Sequence, residues 1–285
     1  MNNYQKMCYK WFGTVAEKAA SDKMKADLER AHIDIRAGAY LSCVWVNTIL
    51  AAVISVVILI TLILFLGPDI LMIFMLCLIP VFVTIMSYLY FVSYPGAKAK
   101  MRAKKIDMHL PYALNFISAM SSAGITPTEI FKSLSKQRIY GEIREEALWI
   151  YRDVGLLGRD IISALKSNIT RTPSDKFREF LQGAVVTVQS GGALKPYFMT
   201  KAEQYTKENR LAQKQMIESL GIMAEAYVTA AVAGILLIII IIPLLMILTG
   251  SSREELGLLN IIIFVLVPVV HIGFAFILST MSMKV

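Results

Sequence analysis

The chain has 285 residues, is 56% hydrophobic and has a mean hydropathy of +0.59. A soluble domain rarely needs so much apolar material, so membrane spans are expected. Lys and Arg outnumber Asp and Glu by 29 to 21, for a net charge of +8; this fits nucleic acid, anionic lipid, an acidic partner or simply membrane topology. Cys8, Cys43 and Cys77 form no CxxC pair, which argues against a disulfide framework or a structural zinc site.

The first forty residues are polar and charged, with no short apolar core and cleavage motif, so no cleavable signal peptide is expected. Residues 1–39 read as an amphipathic helical segment. Tyr4, Met7, Cys8, Trp11 and Val15 share one helical face, with Lys6 and Lys10 beside it. That pattern suits either a helix lying on the inner leaflet or one packed against a cytoplasmic domain.

Two apolar stretches follow, Tyr40–Leu66 and Ile70–Val92, joined by Gly67-Pro68-Asp69. Each meets the requirement of about 20 residues for crossing a hydrocarbon layer about 30 Å thick, so residues 40–93 form a transmembrane hairpin. Residues 94–224 have enough chain for a domain with its own core. Strand signals are nearly absent there. A helix is expected from Asp107 to Ser122, with Leu110, Leu114, Ile117 and Ser121 on one face and Ala123-Gly124 closing it. The next opens at Thr126-Pro127-Thr128-Glu129, where Thr, Pro and Glu compose a capping box. Thr172-Pro173-Ser174-Asp175 echoes that start, either as a degenerate repeat or as convergent capping. Further helices fit Glu142–Leu156, Arg159–Ile169, Ser174–Gln189 and Leu194 to the membrane. This last one has no break signal beyond Pro196 and is expected to run into the third span.

A second hairpin occupies residues 225–285, with spans at Tyr227–Thr249 and Leu258–Met281 joined by Gly250–Gly257. Pro80, Pro243 and Pro268 inside spans predict kinks. Seven Lys or Arg lie in Met1–Ala39 and twenty in Ser93–Ala224; Lys284 follows the last span, and Arg253 alone falls on the opposite side. Both termini and the middle segment are therefore expected in the cytoplasm of a multi-pass cell-membrane protein. The fold class expected is all-α, four transmembrane helices with a cytoplasmic helical bundle.

Nothing converges on catalysis. His32, His109 and His271 are scattered without metal-ligand spacing, and Glu145-Glu146 reads as a solvated helix face. No GxxxxGK[ST] loop is present, so ATP-driven work needs a partner. No enzyme activity, cofactor or metal is expected. Within the spans, Glu225 and His271 are few candidates for a transporter. His271 is either satisfied between helices or part of a proton relay. A small-molecule transporter remains the alternative reading. Trp149, Tyr151 and Arg152 are thin support for nucleic-acid binding, which is not expected.

Residues Leu110 to Tyr205 resemble the type II secretion system F domain, the helical module of inner-membrane platform proteins of type IV filament machines. The resemblance rests on Leu110-Pro111-Tyr112-Ala113-Leu114, Ala123-Gly124, Thr126-Pro127 and Gly158 to Leu165. It is most specific at the Ser190-Gly191-Gly192-Ala193-Leu194 turn and Tyr197-Phe198. Two spans before and two after resemble the platform proteins of archaella, archaeal pili and bacterial tight-adherence systems, and Leu220–Val228 is similar to archaeal members. Many archaeal relatives contain two such halves, so the chain is expected to be either a single-domain member or a first half.

The resemblance implies assembly of a filament. A platform protein contacts a hexameric cytoplasmic secretion-type ATPase and passes its motion to pilin-like subunits, and a homodimer is implied. Lys132, Lys136, Arg138, Arg144, Arg152 and Arg159, expected at helix ends and loops distal to the membrane, are the candidates for ATPase docking. Lys98, Lys100, Arg102, Lys104 and Lys105 form a membrane-proximal basic patch for anionic membrane lipids or an acidic ATPase rim.

Overall fold

The computed structural model describes residues 3–66, 70–250, 257 and 259–282. The expected turn at Gly67-Pro68-Asp69, most of the Gly250–Gly257 connection, Arg253 and Lys284 lie outside the described residues. No strand occurs among the described residues, and four helices are long and apolar enough to cross a membrane: Ala37–Phe65, Leu78–Ser122, Leu194–Leu245 and Leu259–Ser279. The fold is all-α and polytopic. The chain divides into two units, Met1–Glu203 and Gln204–Val285.

The first unit begins with α1 (Asn3–Ala19) and α2 (Asp22–Arg30), followed by α3 (Ala37–Leu66) and α4 (Ile70–Ser122). Helix α1 packs along the first turns of α3, with Ala16 buried against Leu41 and Val44 and Phe12 meeting Trp45 edge to face at 6.0 Å. The two run antiparallel, since Tyr4 bonds Asn47 while Gly38 lies against Glu17. Of the five residues expected on one helical face, Cys8 is buried, and Tyr4, Met7, Trp11 and Val15 are exposed. Helices α3 and α4 form the first hairpin, pinned by the Tyr40 hydroxyl donating to the Phe91 carbonyl at 2.8 Å.

Helix α4 differs from expectation. A separate helix over Asp107–Ser122 was predicted, but α4 runs unbroken from Ile70 through Pro80, Pro95 and Pro111 to Ser122. Each proline removes one backbone donor. The intervening Ala, Lys, Arg and Met residues from Ala97 to Lys105 are good helix formers, and they carry the backbone across. The predicted face of Leu110, Leu114, Ile117 and Ser121 is buried.

Against α4 pack α5 (Pro127–Lys136), α6 (Glu142–Tyr151) and α8 (Asp175–Gln189), and α7 (Ile161–Arg171) packs on α8 and α6. Phe131, Ile143, Ile150, Leu165, Phe177 and Phe180 fill the core with the α4 stripe. The two Thr-Pro starts are not equivalent. Thr126 precedes α5 with Pro127 in its first turn, but its side chain makes no capping bond and Glu129 pairs instead with Lys132 at 2.9 Å. Thr172 terminates α7, and Ser174 takes the cap of α8, accepting from the Phe177 amide at 3.0 Å while donating to Asp107 on α4. One hydroxyl thus starts a helix and ties it to its neighbour.

Helix α9 (Leu194–Tyr227) is continued by a π-helical stretch, Val228–Ala233, and by α10 (Gly234–Thr249). In the second unit a further π-helical stretch, Ile262–Leu266, leads into α11 (Val267–Ser282). Tyr227 packs on Phe274 at 4.4 Å and meets the His271 ring edge to face at 5.7 Å. His271 Nδ1 lies 2.8 Å from the Val267 carbonyl, so one ring nitrogen is satisfied within its own helix.

Candidate functional site

Helix α6 lies at the centre of the candidate surface, and a buried ion network holds it. Arg102, one of five expected membrane-proximal cations, is only 5% exposed. Its Nε donates to Glu142 at 2.8 Å, its Nη1 donates to the Arg30 carbonyl at 3.0 Å, and its Nη2 lies 2.6 Å from Glu146 Oε1. One guanidinium therefore joins α2, α4 and α6, which its planar fork of donors allows and a lysine could not reproduce. This corrects two expectations. Arg102 does not belong to a solvated basic patch, and Glu146 is not on a solvated face but fully buried. Lys98 is half-buried, and Lys100, Lys104 and Lys105 remain exposed.

Burial raises the Glu146 pKa above the usual carboxylate value, and Arg102 acts against that rise. The Asn168 side-chain amide donates to the Glu146 carbonyl at 3.0 Å, bringing α7 into the seam. Beside it, buried Asp153 lies 3.3 Å from Arg171, which also meets Glu29 of α2 at 3.2 Å. Arg171 stands over the Trp149 ring at 5.5 Å, and His32 stacks on the same ring at 3.9 Å. Burial and the Arg102 charge push the His32 pKa down to about 4. His32 adopts φ 52, closing α2 with bonds from its own amide to the Glu29 carbonyl and from the Ile33 amide to the Leu28 carbonyl. Glycine usually takes that left-handed position; here the ring contact with Trp149 accompanies a non-glycine residue.

The six docking candidates fall into two groups at opposite ends of α6. Lys136, Arg138 and Arg144 cluster where α5 turns into α6. Lys136 and Arg138 are exposed, whereas Arg144 is half-buried and bonded to Glu145. This end sits against α4, with Arg102 bonding Glu142 and His109 next to Gly141. It is therefore not wholly remote from the spans, since Arg102 follows Val92 by about 15 Å of helix. At the other end, Lys132 pairs with Glu129 and lies 5.8 Å above the Tyr151 ring. Arg152 and Arg159 there are exposed, Arg159 lying 3.8 Å from Asp153. Both ends also expose large apolar side chains, Ile139 at 73% and Leu156 at 69%. The five-residue π-helical stretch Arg152–Leu156 directs Leu156 and Leu157 outward. Cations beside exposed aliphatic groups at helix ends have a composition common at protein contacts. Among the described residues no group of His, Cys, Asp and Glu could hold a metal ion.

The expected turn at Ser190, Gly191 and Gly192 joins α8 to α9. Gly191 has φ 73; its amide donates to the Val188 carbonyl at 3.0 Å and the Gly192 amide donates to the Thr187 carbonyl at 2.8 Å. That pair of bonds defines a Schellman cap and needs the left-handed conformation glycine supplies. Beyond the turn, Tyr197 donates to the Phe180 carbonyl at 2.7 Å, and the rings of Tyr197 and Phe198 pack on Phe180 at 5.9 and 5.6 Å. Lys195 donates to the Ser122 carbonyl at 3.1 Å, linking the start of α9 to the end of α4.

Residues 113–242 match the family described as type II secretion system (T2SS), protein F. An uncharacterized protein of Methanocaldococcus jannaschii is 34% identical over 64% of this chain and 32% of its own length. Flagella accessory protein J of the same organism is 26% identical over 54% of this chain and 28% of its own length. A second uncharacterized protein from that organism is 27% identical over 46% of this chain and 40% of its own. The chain thus spans between 28% and 40% of the length of the curated relatives it matches. No solved structure matches it.

Proposed function

From a chain that carries a domain of the type II secretion system protein F family and resembles an archaeal flagella accessory protein, we propose an inner-membrane platform for assembling a type IV filament or a related secretion machine. The helical domain docks a cytoplasmic hexameric ATPase. Its movement is passed through the membrane helices to pilin-like subunits being drawn from the bilayer. The domain and both termini face the cytoplasm, and two copies form the working unit.

The observation that supports this most is the continuity of α4, in which the apolar span and the buried core stripe Ile106–Ile117 belong to one helix. A helix so built transmits displacement without a flexible joint. The exposed residues Lys136, Arg138, Arg152 and Arg159, with Ile139, Leu156 and Leu157, supply the surface for an acidic partner. Charge reversal at Arg138, Arg152 and Arg159 together is expected to abolish filaments while membrane insertion stays intact. Unchanged filament assembly would remove this surface from the mechanism.

A further inference from the structure

Helix α1 has three distinct faces. Cys8 and Ala16 are buried, with Phe12 half-buried beside them, on the side that packs on α3. Lys6, Lys10 and Glu17 form an exposed charged face. Between them lies an exposed apolar face of Tyr4, Met7, Trp11 and Val15, with Trp11 76% exposed. A two-faced helix on a soluble domain has no use for the third surface.

The attachment to α3 sets the level at which that surface lies. Helix α3 has 30 residues, about 45 Å, and a hydrocarbon core about 30 Å thick accounts for about 20 of them. The run from Ile49 to Leu66 is apolar apart from Ser55 and Thr61, so the hydrocarbon layer ends near Thr48. The α3 residues touched by α1, Asn47, Trp45, Val44 and Leu41, extend from that level to about 10 Å outside it. On α4 the same level carries Tyr90, Phe91 and Tyr94, whose rings lie 5.5 to 6.4 Å apart beside Tyr40. Tyr and Trp concentrate where acyl chains meet headgroups.

We infer that α1, inclined along α3, crosses the headgroup boundary, and that Tyr4, Met7 and Trp11 of its exposed apolar face contact bilayer phospholipid. Lys6 and Lys10 extend from the adjoining face toward lipid phosphates. The helix widens the first hairpin at the membrane surface and fixes the height at which α2 meets the buried seam.

The test uses the full chain with Trp45→Phe and Trp149→Phe, leaving Trp11 as the single indole. It is reconstituted in phospholipid vesicles doped with a nitroxide lipid labelled at the headgroup or at the acyl-chain end. The headgroup nitroxide is expected to remove most of the Trp11 emission, the chain-end nitroxide little, and aqueous acrylamide little. Quenching by acrylamide but by neither lipid places the helix in water and overturns the inference. Protection from all three quenchers shows a protein cover and also overturns it, as does strongest quenching from the chain end. If that variant does not fold, the headgroup-quenched emission lost between the wild-type chain and Trp11→Phe gives the same reading.

Discussion

Replacing Arg102 by Met leaves the buried Glu146 without its counter-charge while keeping an aliphatic stem of similar length. A carboxylate in that position takes up a proton sooner than remain ionised, and the pKa difference bounds the cost. From an ordinary glutamate value of about 4.3 to pH 7, at about 1.4 kcal/mol per unit, the bound is about 4 kcal/mol. Glu146 is already raised in the native protein, so part of that cost is present before substitution. Losing the bond to the Arg30 carbonyl adds about 1 kcal/mol. The sum, about 3 to 4 kcal/mol, agrees with the about 3–5 kcal/mol typical of broken buried pairs.

The assay is hydrogen exchange of the Ile143–Ile150 amides in the full chain in lipid nanodiscs. The variant should lose protection by a factor of roughly several hundred at pH 7, at about 1.4 kcal/mol per tenfold. Near pH 5 the cost of protonating Glu146 falls to about 1 kcal/mol, so the loss shrinks toward tens of fold. Adding Glu146→Gln should restore most of the protection at pH 7. An equal loss at both pH values, or no rescue by Glu146→Gln, would refute the assignment of the cost to an uncompensated carboxylate.

Gly191→Ala forces a Cβ into φ 73; it should destabilise the α8–α9 turn by about 1–2 kcal/mol, read as a lower thermal midpoint in detergent. Gly183→Ala puts a Cβ 2.8 Å from Tyr197 Cζ and into its hydroxyl. Overpacking of about 1–3 kcal/mol should outweigh the helix-propensity gain of about 1 kcal/mol, and the bond from Tyr197 to the Phe180 carbonyl should be lost; a higher midpoint would contradict this. His32 has its folded pKa lowered to about 4, below the unfolded value of about 6.5. Its contribution is therefore complete above about pH 6.5 and is lost as pH falls toward 4. His32→Gln should flatten stability in that window, measured by Trp149 emission during thermal unfolding. An unchanged pH profile would remove His32 from the seam's energetics.

The spans were legible because a run of about 20 apolar residues has few other uses. The helix ends at Gly124 and Gly191 were legible because the left-handed conformation strongly favours glycine. The Thr-Pro echo left repeat and convergent capping both open, because capping is a competition among neighbours: Ser174, two residues beyond Thr172, reaches both the Phe177 amide and Asp107. The join between the second span and the domain was hidden because Pro95-Gly96 reads as a break, whereas the helix formers from Ala97 to Lys105 carry α4 across it. Glu146 carried a signal that could have been read, since it falls with Ile143, Ala147 and Ile150 on the apolar stripe of α6. That placement asks for a buried cation, but which of many basic residues answers depends on packing between elements distant in sequence. Arg102 is 44 residues away and Arg30 further still, and neither spacing is periodic.

The proposed function makes the helical domain the foothold of a separate motor. Affinity capture of the tagged full chain from mildly solubilised native membranes tests it most directly. A hexameric secretion-type ATPase is expected to co-elute, and reversing Arg138, Arg152 and Arg159 is expected to release it. Recovery of the intact chain with no ATPase, under conditions that preserve the ATPase hexamer, would contradict it.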